Sequence, residues 1–173
     1  TEPAEVTSVG ENGALTGSAT GASTYGQKYD LKMPLGLTGY FTLEEGLTAA
    51  KAQGKPVFVD ITGHGCVNCR EMEQRVWSDP RVLNILRNEY VLVALYVDDK
   101  TKLEEKDWLT TPEGKTLKQI GRVNSYIARA RFGVNAQPNY ALLDADGNQL
   151  VPVRGYNLSV EGFIEFLNSG LRK

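Results

Sequence analysis

The sequence predicts an α/β fold, a central mixed β-sheet flanked by helices on both faces. Three observations carry this. Helical and apolar extended stretches follow one another in the order helix, strand, helix, strand, helix, strand, strand, helix. Helices separate the first two strands, as parallel pairing requires, while a tight turn joins the last two, as antiparallel pairing allows. The first strand also runs through a small-residue turn into a Cys-x-x-Cys pair that opens a helix.

Residues 1–34 are expected to form a flexible linker or tail and residues 35–173 the folded domain. The opening stretch is rich in Gly, Ser, Thr, Ala and Glu, holds only Tyr25 and Tyr29 as aromatics, and shows no periodicity. Thr42-Leu43-Glu44-Glu45 fits a capping box, with Thr42 as N-cap and Glu45 three residues on, and Gly54 suits the end of that helix. The apolar run 56–61 is the first strand. The cysteine-bearing helix is expected over 66–76. A further helix over 80–88 has Asp79 as N-cap and Pro80 at its first position.

Residues 90–97 are almost continuously apolar, which predicts a central strand. Residues 98–115 are charged and aperiodic and predict a long connection, either a functional or mobile loop or a solvated insertion. Leu117, Ile120, Val123, Tyr126, Ile127 and Ala130 share one face of a helix expected over 116–132. A strand from Pro138 to Leu143, a turn at Asp144-Ala145-Asp146-Gly147-Asn148 and a partner strand over 149–154 form a hairpin. That acidic turn lacks the closing bidentate glutamate of a calcium loop. Phe163, Ile164, Phe166 and Leu167 mark a last helix over 159–169, after Ser159.

The chain has two cysteines, both in Cys66-Val67-Asn68-Cys69. Two intervening residues let the sulfurs meet across one helical turn. Thiol–disulfide exchange needs a thiolate, and the unpaired N–H groups and positive dipole end of a helix N-terminus favour an anion there. A sulfur so placed falls from roughly 8.5 into the range of about 3.5–7.5. Cys66 is therefore assigned as nucleophile and Cys69 as resolving cysteine. Val67 and Asn68 are expected to touch substrate and tune the thiolate. A zinc site needs about four Cys or His ligands, and one histidine beside two cysteines cannot supply them. A c-type haem needs His after the second cysteine, where this chain has Arg70. A disulfide closing so short a loop removes little unfolded-state entropy and is a poor staple.

His64, two residues before Cys66, reads either as a modulator of the thiolate or as an exposed turn residue. Glu71 and Glu73 read as acids favouring the helix N-terminus rather than opposing the thiolate by charge, and Trp77 and Trp108 as packing residues rather than substrate contacts. A net charge of −2 gives no reason to expect nucleic acid or an anionic membrane as partner. No apolar run approaches the ~18–20 residues of a bilayer span. The chain opens at Thr1 without Met or a signal-peptide pattern, which suggests a processed chain or a piece of a longer one.

Val57-Phe58-Val59-Asp60 through Cys66-Val67-Asn68-Cys69-Arg70-Glu71-Met72-Glu73 to Ser78-Asp79-Pro80-Arg81-Val82 resembles the thioredoxin-fold family. Within it, the likeness is strongest to the C-terminal periplasmic domains of DsbD-type thiol:disulfide interchange proteins, over about residues 38–173. The resemblance implies a thioredoxin-like fold. It implies that Asp60, six residues before Cys66, is the family's buried acid and accepts the proton of Cys69; the residue alone also fits an acid capping the strand end. It implies that Gln137-Pro138 is the family's cis-proline segment facing the disulfide and binding substrate, where the residues alone also fit a trans proline starting an edge strand.

Function follows as an expectation. The resemblance implies a protein-disulfide reductase relaying electrons to protein thiol/disulfide partners in the bacterial periplasm. It further implies an upstream membrane electron-transfer domain in the full-length chain, an inner-membrane protein. No cofactor beyond the Cys66–Cys69 disulfide and no metal are expected. The alternatives are an oxidase or isomerase of the same fold, and a non-enzymatic binding module. One feature departs from the family: Gly65 stands where a tryptophan usually precedes the first cysteine.

Overall fold

In the computed structural model, residues 23–173 are described. The elements are α1 (Thr24–Tyr29), α2 (Leu43–Gln53), β1 (Val57–Thr62), α3 (Val67–Met72), α4 (Pro80–Glu89), β2 (Val91–Tyr96), β3 (Leu109–Thr110), β4 (Thr116–Leu117), α5 (Ile120–Phe132), β5 (Asn139–Leu143) and α6 (Val160–Leu171). The central sheet has the order β2–β1–β5, with β1 parallel to β2 and antiparallel to β5. Isolated bridges widen it at both edges, Tyr40 to Val93 and Arg154 to Tyr140.

Strand periodicity divides the core. Phe58 in β1 and Leu142 in β5 face Met72, Leu86 and Leu167, so α3, α4 and α6 cover that side. Val57, Val59 and Ile61 face Ala49 and Ala128, so α2 and α5 cover the other. Phe58 anchors the first layer: its ring lies 5.4 Å from Tyr140, 5.6 Å from Trp77 and 6.1 Å from Phe163. Asp60 is two residues along β1 from Phe58 and shares its face, towards the helix that carries the cysteines.

The caps fall where the sequence places them. Thr42 accepts from the Glu45 amide, Asp79 from the Arg81 amide and Ser159 from the Gly162 amide. Gly54 ends α2 in the left-handed region, φ 67°. The Glu45 carboxylate does not complete the capping box. It accepts from the hydroxyls of Ser23 and Thr24 and the amide of Tyr25.

That contact corrects the expectation of a linker over residues 1–34. From Ser23 onward the chain forms α1 and a strap against the domain, with Leu31 and Met33 in the core. Lys28 and Tyr29 bind Asp107 of the 98–115 insertion, and Tyr96 Oη donates to the Lys32 carbonyl at 2.8 Å. Residues 1–22 lie outside the described residues.

Two further boundaries differ. The helix expected from 116 starts at Ile120, because Thr116 and Leu117 pair with Thr110 and Leu109 instead. Leu117 fits the helical period but is buried from a strand. The expected partner strand over 149–154 is reduced to single bridges at Gln149 and Arg154. Pro152 lies between them and has no N–H for a ladder. The turn at 144–148 does form, closed by the Asp144 amide to the Asn148 carbonyl at 2.9 Å.

Candidate active site

β1 delivers the site. Its last residue, Thr62, leads into Gly63-His64-Gly65, and Cys66 becomes the N-cap of α3. Cys66 and Cys69 are joined as a disulfide, with α-carbons 5.2 Å apart. Cys69 is 1% exposed, whereas Cys66 is half-buried and Val67 and Asn68 are exposed. Cys66 Sγ accepts from the Cys69 amide at 3.1 Å. On reduction the same N–H faces a thiolate, and a hydrogen bond to the charged form lowers its pKa.

α3 does not end as an ordinary helix. It passes into one π-turn, Glu73–Trp77, in which the Ser78 amide reaches the Glu73 carbonyl at 3.1 Å. Such turns occur often at functional sites. Glu73, at its start, is buried at 6% exposure. Arg70 donates to Glu73 Oε2 at 3.0 Å and to Thr62 Oγ1 at 3.1 Å. Asp60 is buried at 2%, and its Oδ2 has no hydrogen-bond partner among the described residues. Burial first, and the charge of Glu73 second, push the Asp60 carboxyl well above the usual range, against the pull of Arg70. Burial also raises Glu73, although Arg70 opposes it. The site therefore places buried acids that favour holding a proton behind a disulfide with one accessible sulfur.

Across the sheet, the Gln137–Pro138 bond is cis. Pro138 is buried and Gln137 exposed. Asn139 pairs with Ile61, so Pro138 lies at the end of the sheet where β1 turns into the cysteine loop.

Residues 43–170 match the Thioredoxin-like domain pattern. The chain belongs to the thioredoxin-like family. Its curated relatives include thiol:disulfide interchange proteins DsbD, from Salmonella typhi (39% identity over 35% of this chain and 11% of that protein) and from Ralstonia nicotianae (30% identity over 65% and 15%). The chain thus spans about a seventh or less of those relatives' length. Among solved structures, the DsbH oxidoreductase superposes with a TM-score of 0.58 at 18% identity, covering 82% of this chain and 90% of that one. A thioredoxin from Thermus thermophilus gives 0.53 at 24%, covering 75% and 84%. These likenesses show the thioredoxin-like fold, and the chain carries in it the Cys-x-x-Cys disulfide of a thiol–disulfide oxidoreductase.

Of the site residues expected from sequence, this thioredoxin-like domain brings Cys66, Val67, Asn68 and Cys69 together on one turn and puts Asp60 inside the sheet face behind them. His64 is anchored by contacts beyond the cysteine loop. Its Nε2 is 2.7 Å from Asp99 Oδ2, and its ring stacks on Tyr96 at 4.1 Å. Glu73 was expected to favour the helix N-terminus and is instead buried against Arg70. The available signal was spacing: Glu73 follows Cys69 by four residues, on the same inward face. Glu71 stays on the surface, where Tyr156 Oη and Arg75 donate to it. Trp77 is fully buried, and Trp108 is partly exposed with its indole N–H on the Leu103 carbonyl.

Proposed function

We propose that this domain is a protein-disulfide reductase. The observation that carries the reading is the pairing of an accessible Cys66 at a helix N-cap with a buried Cys69 one turn on. In the reduced domain the Cys66 thiolate attacks a substrate disulfide, forming a mixed disulfide and releasing one substrate thiolate, which takes a proton from water. Cys69 then loses its proton to Asp60 and attacks Cys66 Sγ. The Cys66–Cys69 disulfide forms, the second substrate sulfur leaves as a thiolate that takes a proton from water, and two electrons have passed to the substrate. The raised pKa of Asp60 suits it to hold that proton. Val67, Asn68, Gln137 and Pro138 form the substrate-facing surface, where a peptide pairs with backbone in the manner of an added strand.

The direction of electron flow rests on the likeness to thiol:disulfide interchange proteins. On the same ground we assign the domain to the bacterial periplasm, receiving electrons from an upstream membrane domain. Among the described residues no helix is long and apolar enough to cross a membrane.

The deciding experiment is the equilibrium reduction potential of the Cys66/Cys69 couple in glutathione or dithiothreitol buffers. A value near or below the glutathione poise of roughly −220 to −260 mV supports the reductase. A value towards the roughly −120 mV of a strong disulfide donor overturns it in favour of an oxidase or isomerase.

A further inference from the structure

We propose that Asp98 is a positioning residue for Cys66, gripping the loop that carries the nucleophile. β1 and β2 run parallel, and the ladder continues one step past β2 through the Val97 amide to the Thr62 carbonyl at 2.9 Å. Asp98 is the next residue. Its Oδ1 accepts from the His64 amide at 2.7 Å and its Oδ2 from the Gly65 amide at 2.9 Å. One carboxylate thus holds two consecutive amides immediately before Cys66.

The loop composition fits this grip. A β-carbon at Gly63 would lie 3.1 Å from Asp98 Oδ2, tighter than ordinary contact, and one at Gly65 would lie 3.7 Å away. Glycine at 63 lets the carboxylate approach, but two glycines in three residues also leave the backbone free to wander. The Cys66 amide adds only a long bond, 3.4 Å, to the Gly63 carbonyl. Asp98 supplies the missing constraint. Burial acts to raise its pKa, but the Gly65 and His64 amides together with the charge of His64 outweigh it and hold the carboxyl below the usual range, so it is ionised when it grips.

The grip is braced on both sides. The His64 ring is fixed by Asp99 and by the face of Tyr96, whose hydroxyl is tied to the strap at Lys32. Asp99 accepts the Thr101 amide at 2.8 Å on its side chain and the Gly121 amide at 2.8 Å on its carbonyl, which ties it to α5. The consequence reaches the sulfur. Thiolate stabilisation depends on Cys66 Sγ staying aligned with the Cys69 amide, and a hydrogen bond weakens steeply as its angle degrades.

Positioning and simple charge make opposite predictions. As a mere negative charge near Cys66, Asp98 would oppose the thiolate, and its removal would lower the thiolate pKa. As a positioning group its removal raises it. The proposal rests on Cys66 being the nucleophile. The test is an ultraviolet thiolate titration of the reduced protein, with iodoacetamide alkylation of Cys66, in the parent, Asp98→Ala and Asp98→Asn, circular dichroism checking the fold.

Asp98→Ala is expected to raise the Cys66 pKa by about one unit, slowing alkylation about tenfold at pH values below both pKa values. Asp98→Asn, which keeps one acceptor oxygen, is expected to shift it in the same direction but less. If Asp98→Ala fails to fold, Asp98→Asn alone decides by the sign of its shift. A lowered or unchanged pKa overturns the positioning role and leaves the proposed function standing. A parent Cys66 that titrates as an ordinary thiol also overturns the positioning role, since no stabilised thiolate is left to position, while the proposed function is decided separately by the reduction potential.

Discussion

Asp60 faces a second buried carboxylate, that of Glu73. Burial is the larger cause of the raised Asp60 pKa, and the Glu73 charge adds to it; Arg70, bound to Glu73 at 3.0 Å, offsets part. The arrangement raises the proton affinity of Asp60, so its ionised form is a strong base for the Cys69 proton. An ionised Asp60 in that position is costly, so the site stores a local instability that only its chemistry explains.

Asp60→Asn should therefore stabilise the domain at neutral pH. The folded-state pKa of Asp60 lies above its unfolded value, so folding takes up a proton as the pH falls between the two. The cost of the charged carboxylate is absent below the unfolded value near ~3.9, grows as the pH rises and is complete above the folded pKa. Urea denaturation of the oxidised protein should show a gain on the order of 1–3 kcal/mol at neutral pH, the scale of one unpaired buried polar group. The gain should vanish in acid. A variant less stable than the parent at neutral pH would refute this account of Asp60.

Glu73→Gln should lower the pKa of Asp60. The substitution removes the nearby negative charge and leaves the Arg70 guanidinium free of its carboxylate partner, and both changes favour ionised Asp60. The carboxyl carbon resonance of Asp60, followed through a pH titration, should move its midpoint to lower pH. The pH at which Cys69 becomes reactive should move with it. An Asp60 midpoint that stays put or rises would mean that burial alone sets its value.

Much of the architecture is legible in local signals. Thr42, Asp79 and Ser159 announce helix starts because a side-chain oxygen next to an unpaired amide is a local event. The cysteine pair announces itself by spacing. What escapes local reading depends on long-range partners. The strap over 23–34 has the composition of a linker, and its order comes from Glu45, Asp107 and the hydrophobic core, all distant in sequence. Leu117 carries a helical period and joins a strand because its partner Leu109 lies across a turn. In the site, Cys66, Cys69 and Asp60 stand at readable spacings, whereas Asp98 and Asp99 come from the end of another strand and meet the loop only through the sheet register.

The strap gives a test of that long-range order. Glu45 accepts the hydroxyls of Ser23 and Thr24 and the amide of Tyr25, while Thr42 alone caps its helix. Glu45→Ala should thus free the start of α1 and leave α2 formed. Hydrogen exchange of the amides that α1 protects, such as those of Gln27 and Leu31, should speed by on the order of tenfold, about 1.4 kcal/mol of local stability. Amides of β1 and β2 should keep their protection. Uniform acceleration across the domain would show that the strap unfolds only with the whole.

Replacing the two cysteines should not give equivalent variants. Cys66 is accessible and receives the Cys69 amide, whereas Cys69 is 1% exposed and lies one turn further in. Reduced Cys69→Ser keeps the attacking thiolate but cannot resolve. It should accumulate roughly one equivalent of mixed disulfide per chain when offered a protein disulfide, and turnover should fall to background. Cys66→Ser should neither turn over nor trap substrate, since its remaining thiol is buried. Intact mass spectrometry after acid quenching distinguishes them. Trapping by Cys66→Ser would reverse the assigned roles, and sustained turnover by either variant would remove the dithiol mechanism altogether.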